Sequence, residues 1–108
     1  MRCLLFICLV SFFSFGQSDF ILSDLDLSKG DYAKVAMQIW EYAEMGYQEE
    51  KSSSLLQSKL KEAGFSIKSG AAGIPTAFIA EYNNGGPIIA ILGEYDALPG
   101  LSQKALPY

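Results

Sequence analysis

The sequence predicts an α/β fold, the N-terminal part of a domain larger than itself: a helical hairpin followed by about three strands. Three observations predict it. Apolar residues recur at three-and-four spacing over two stretches, the mark of helices with one buried stripe. The period then switches to two. One stretch, Ile88-Ile89-Ala90-Ile91-Leu92, is continuously apolar, as a strand covered on both faces would be. Such a strand needs a layer on each side, and the roughly ninety residues after the leader do not easily supply both. The chain therefore reads as an incomplete domain, either a fragment or a truncated product.

The leader comes first. Met1-Arg2 is a short positive start, and Cys3 to Phe15 is apolar apart from Ser11 and Ser14. Ser14 and Gly16 then stand at the −3 and −1 positions before Gln17, the pattern a signal peptidase reads. The run is shorter than the ~20 residues a spanning helix needs. Residues 1–16 are expected to be a signal peptide and residues 17–108 the start of the mature domain. The product is expected to be secreted or periplasmic, without a stable membrane anchor.

Residues Asp19 to Asp26 mix apolar and acidic side chains and read as a lead-in arm. Ser28 or Asp31 offers a helix start. Tyr32, Val35, Ala36, Ile39, Trp40 and Ala43 then form one apolar stripe, predicting a helix from Asp31 to Met45 that Gly46 ends. A second helix is expected from Gln48–Lys51 to Ala63, burying Leu55, Leu56, Leu60 and Ala63. Gly64 stands where a left-handed residue closes a helix, and Phe65 can fold back on the last turn. Strands are expected over 65–68, 76–82 and 87–95. Gly70 to Pro75 forms a loop before the second strand. Asn83-Asn84-Gly85-Gly86 joins the last two strands as a hairpin turn. The aromatic set around Trp40 reads as core rather than as a stacking surface.

Net charge is −4 over 108 residues, and one unit more negative without Arg2. No basic face exists to attract nucleic acid. Histidine is absent, and the cysteines, Cys3 and Cys8, both lie in the leader. The mature segment thus has no disulfide, no thiolate zinc site and no imidazole base.

Chemistry concentrates in Gly93-Glu94-Tyr95-Asp96-Ala97-Leu98-Pro99-Gly100. Two carboxylates stand at the C-terminal end of a buried strand, where sites form in open α/β sheets. Two positions apart on a strand, Glu94 and Asp96 point to one face. Such a pair suits sharing a cation or holding a histidine ligand. It equally suits a strand end with solvated acids and a turn-forming Asp. Carboxylates alone do not fill a cation site here, since more oxygen ligands are needed. Glu44 and Glu49, beside Gly46, resemble an acid/base pair by residue type alone, but Glu49 reads as first-turn helix chemistry. Glu49 complements the dipole of the second helix.

The run Gly73-Ile74-Pro75-Thr76-Ala77-Phe78-Ile79-Ala80-Glu81-Tyr82, with Ile88 to Gln103, resembles the zinc-dependent amidohydrolases of the aminoacylase and carboxypeptidase superfamily. Ile39 to Glu49 and Lys51-Ser52-Ser53 resemble that family's entry helices. Within the superfamily the chain most resembles the aminobenzoyl-glutamate utilization protein B branch. The resemblance implies a metallo-aminopeptidase/carboxypeptidase-like α/β catalytic domain holding one or two divalent metals, zinc or manganese. It also implies a smaller inserted α+β domain that often serves dimerisation, which makes a homodimer an option for the complete protein. The implied reaction is hydrolysis of an amide in N-acyl amino acids, aminobenzoyl-glutamate-like compounds or short peptides, with a metal-bound water and a glutamate base.

None of the family's metal-binding motifs lies in this stretch, so the segment alone is expected to be inactive and to bind no metal tightly. Across the wider superfamily this strand end carries a metal-binding His, any residue, then an Asp that orients it. Here Glu94 takes the His position and Asp96 the Asp position, so Asp96 carries over as a supporting active-site residue, Glu94 stands as a second candidate, and neither carries over as a metal ligand. In the related branches the first ligands come from a Cys/His-rich loop further on. The competing reading is a small secreted α/β binding module without catalysis.

Overall fold

A computed structural model describes residues 17–101 and 103–106. The expected leader, with Cys3 and Cys8, lies outside the described residues. The backbone separates into two units, Met1–Ala33 and Lys34–Tyr108.

Helix α1 runs Gln17–Tyr42. Residues 19–26, expected as an arm, are therefore helical. No Pro or Gly interrupts them, and Asp19 in the first turn complements the helix dipole. Phe20, Ile21, Leu22, Leu25 and Leu27 are exposed, so apolar side chains are scattered around this part of the helix. Its end also differs from expectation. Ala43 takes a left-handed φ of 47°, which breaks the helix before Met45, so Gly46 lies in the turn beyond it. Tyr32 and Trp40 are exposed, correcting their placement in a core. Among the described residues no helix is long and apolar enough to cross a membrane.

Helix α2 spans Glu50–Glu62. Its closing turn is the one the sequence predicts. Gly64 has φ 92°, its N–H bonds the Lys61 carbonyl at 3.0 Å, and the Phe65 N–H reaches back to the Leu60 carbonyl at 3.0 Å. That pair of bonds is a Schellman closure. Leu55, Leu56 and Leu60 are half-buried, whereas Ala63 is exposed because it forms the cap itself. A Cβ at Gly64 would sit 3.5 Å from the Tyr82 ring. Gly64→Ala is expected to destabilise by about 1–2 kcal/mol, because a β-carbon is strained at that φ. A denaturant midpoint that does not move would refute this.

Strand β1 (Ser66–Ser69) pairs antiparallel with β2 (Phe78–Glu81), in the register Ser66 with Glu81 and Ser69 with Phe78. A 3₁₀ turn over Ala71–Gly73 and a second turn at Pro75-Thr76, closed by the Ala77 N–H on the Ile74 carbonyl at 3.1 Å, connect them. Helix α2 packs on both strands, and the Phe65 and Tyr82 rings meet at 5.3 Å.

Beyond Tyr82 the structure departs from expectation. Gly85 and Gly86 carry the positive φ of a turn, and the Gly85 N–H bonds Asn83 Oδ1 at 2.9 Å. No hairpin follows, and residues 87–95 form no strand. Ile88 is 97% exposed and Leu92 90%. The reason is a missing partner: among the described residues no strand pairs with this segment, and an unpaired ladder is not stable. Instead of about three strands there are two among the described residues.

Among the described residues no hydrophobic side chain is fully buried; the buried ones are Glu49, Ser52, Ser53 and Thr76. This is the reverse of an ordinary core. It marks where the chain concentrates its hydrogen bonds.

Candidate functional site

The segment that carries Glu94 and Asp96 docks on the turn between the helices. The Ala97 N–H bonds the Glu44 carbonyl at 2.7 Å, and Ala97 forms a parallel bridge with Met45. Just before it, the Tyr95 hydroxyl donates to the Thr76 carbonyl at 2.6 Å. Its ring lies 6.1 Å from that of Phe78. The same Thr76 carbonyl accepts from Ser53 Oγ at 2.6 Å. One buried carbonyl thus links α2 to the Tyr95 side chain.

Asp96 itself is exposed, as is Glu94. A β-carbon added at Gly46 would lie 3.6 Å from Asp96 Oδ2 and 3.9 Å from Glu49 Oε1. Asp96 therefore comes beside the turn that carries Glu44 and Glu49. Residues 93–96 are not a strand, so strand alternation does not place Glu94 and Asp96 on a common face. That expectation is corrected, because the pairing that would impose alternation is missing.

Glu44 has a task that its place in the sequence does not announce. Its carboxylate accepts the Lys51 N–H at 3.0 Å, the Ser52 N–H at 2.8 Å and the Ser52 hydroxyl at 2.8 Å. It caps α2 from outside the helix. Glu49, expected to serve the helix start, stands at the cap position with no side-chain capping bond. It accepts the Tyr47 N–H at 2.9 Å instead. That bond supports a turn in which the Gln48 N–H reaches the Met45 carbonyl and Tyr47 takes φ 66°, a position glycine usually occupies. The signal that exposes Glu44 is negative: neither Gln48 nor Glu49 is a favoured capping residue, so the first donors of α2 need an acceptor from elsewhere.

Both carboxyls lie below their ordinary value. Desolvation pushes Glu44 up, but the Ser52 and Lys51 N–H groups, the Ser52 hydroxyl and the Lys51 charge outweigh it. Desolvation likewise opposes the charge on Glu49, which is 8% exposed. The Thr76 hydroxyl and backbone N–H groups at Glu49 and Tyr47 outweigh it, against the repulsion of Glu44. Glu49 Oε2 is buried without a hydrogen-bond partner of ordinary geometry.

A carboxyl depressed by folding stabilises fully above its unfolded value, and loses that contribution as pH falls through the folded one. Helix α2 is therefore expected to weaken below the usual carboxylate range. Glu44→Gln should flatten that acid limb in far-UV circular dichroism while lowering stability at neutral pH. An unchanged acid limb in the variant would refute the assignment.

A shallow open depression of about 350 Å³ lies nearby, lined by Glu50, Ser53, Ser54, Gln57, Pro75 and Thr76. Among the described residues no three His, Cys, Asp or Glu side chains converge to hold a metal ion. With no histidine in the chain, this donor set does not fit a zinc site.

Over 86 residues the chain is 44% identical to one of the subunits of the p-aminobenzoyl-glutamate hydrolase of Escherichia coli (strain K12), a match covering 80% of this chain and 18% of that protein. The chain is a sequence relative of the amidohydrolases. A second match, 31% identical over 67 residues, is to "Putative amidohydrolase YhaA" of Bacillus subtilis (strain 168), covering 62% of this chain and 17% of that one. The amidohydrolase resemblance read from the sequence is shown by these relatives. This amidohydrolase relative spans less than a fifth of the length of either. No family model matches it.

Proposed function

We propose that this chain works as part of a hydrolase that cleaves amide bonds in small N-acyl amino acids, aminobenzoyl-glutamate-like compounds or short peptides. One observation carries the reading: 44% identity over 86 residues to a protein named as a subunit of such a hydrolase. The described residues would supply the entry helices and one edge of the site in a protein of the relatives' length, a homodimer being the assembly to test first. Asp96 is the residue proposed to act there. Its carboxylate accepts a hydrogen bond from a group supplied by another part of the complete protein and holds that group in place. Glu94 is a weaker candidate.

A divalent metal, zinc or manganese, is part of the proposal, as the sequence resemblance implies for the complete protein. The donors described here do not form its site, so its ligands belong to other residues. The test is hydrolysis of aminobenzoyl-glutamate and of an N-acyl amino acid by the full-length protein, beside residues 17–108 alone. Activity is expected in the first and none in the second. Micromolar zinc affinity in residues 17–108, or a full-length protein that cleaves neither compound, would overturn the proposal.

Export is part of the same reading, on the strength of the apolar leader and the small residues at Ser14 and Gly16. Mass spectrometry of the exported protein is expected to find Gln17 at its N-terminus. Intact Met1 in a membrane fraction would refute export by cleavage.

A further inference from the structure

The residues on either side of Asp96 are tied to different parts of the fold. On one side the Tyr95 hydroxyl bonds the Thr76 carbonyl at 2.6 Å, and its ring lies 6.1 Å from the Phe78 ring. On the other the Ala97 N–H bonds the Glu44 carbonyl at 2.7 Å. Thr76 is buried and held in turn by Ser53 of α2. The backbone of Asp96 is thereby restrained on both sides, while its carboxylate stays exposed beside Gly46. A restrained backbone carrying an accessible carboxylate is what a group needs when it must meet another in fixed geometry.

We infer that Tyr95 is a positioning residue for Asp96: its hydroxyl, through the Thr76 carbonyl, sets where the Asp96 carboxylate stands. This rests on the role proposed for Asp96 above. The ring contact with Phe78 survives in Tyr95→Phe, so that variant removes the hydroxyl and little else. A lost hydrogen bond of ordinary strength corresponds to about a fivefold to tenfold effect.

The experiment uses the full-length protein, with aminobenzoyl-glutamate as probe substrate. Tyr95→Phe is expected to lower kcat about five- to tenfold, with KM and melting temperature nearly unchanged. In an Asp96→Asn background the same substitution should cost nothing further, because the group it positions is already gone. Should Asp96→Asn fall below detection, the split between kcat and KM in Tyr95→Phe decides alone. An unchanged kcat, or the same loss in both backgrounds, overturns the inference and leaves the reading of Asp96 intact. A fully active Asp96→Asn enzyme overturns that reading, and the inference with it.

Discussion

Asp96→Ala in the full-length protein is expected to lower kcat/KM about 10- to 100-fold, the usual cost of removing a carboxylate that orients a reacting group's partner. The fold should survive. Asp96 is exposed, and the bonds that dock its segment are made by Tyr95 and Ala97. Truncating the side chain leaves both anchors in place, and an exposed carboxylate contributes little to stability. Glu94→Gln should cost less. Steady-state kinetics with melting curves on the same samples separate the outcomes. An Asp96→Ala enzyme of wild-type activity would show that the site has been placed wrongly. One that fails to fold would show that Asp96 is structural.

The second large effect concerns residues 88–92, and it is expected to change sign with context. Ile88, Ile89, Ile91 and Leu92 are 86–97% exposed, and in residues 17–108 alone such an exposed apolar segment invites association. Sedimentation should find aggregates or a broad distribution, without a sharp thermal transition. Ile89→Lys with Ile91→Lys should shift the population towards monomer, since charge on a strand-like segment blocks pairing. In the full-length protein the same pair should unfold the domain or cost about 4–5 kcal/mol or more, because both positions are then covered and an unpaired charge is buried. A sharp transition from monomeric residues 17–108 would favour the independent binding module. Tolerance of both lysines in the full-length protein would refute coverage of this segment.

Sequence is a good guide to this fold where local physics decides. Gly64 and Phe65 close α2 as their spacing predicts, and the helix itself lies within two residues of expectation. Leu98-Pro99-Gly100 also forms a turn, with the Leu101 N–H on the Leu98 carbonyl at 3.4 Å and Gly100 at φ 77°. Features set by distant partners are a different matter. Residues 87–95 have strand composition but no neighbour to pair with, and β2 instead pairs with β1. Residues 19–26 lack a clean apolar stripe, yet nothing in them stops a helix and one forms. The candidate site shows the same division. Glu94 and Asp96 stand out by residue type, whereas the seating of their segment on Glu44 depends on a contact no periodicity announces. Gly46 has the composition of a helix stop. The helix ends earlier, at Tyr42, and Gly46 lies in the turn beyond it, with the Asp96 and Glu49 carboxylates at ordinary contact distance.

Glu44 joins the chain at two very different ranges. Its carboxylate reaches Lys51 and Ser52, only a turn away, while its carbonyl receives Ala97 from the far end of the sequence. Closing a short loop costs little entropy and takes well under a microsecond, whereas the longer closure becomes favourable only after intervening structure exists. The start of α2 is therefore expected to assemble first, with the same residue then serving as the landing point for the Asp96 segment. In hydrogen exchange the two ends of Glu44 should report different events: the Ser52 amide opening with the helix, the Ala97 amide opening earlier and alone. A ribosome-bound chain would reach the first state long before Ala97 had left the exit tunnel.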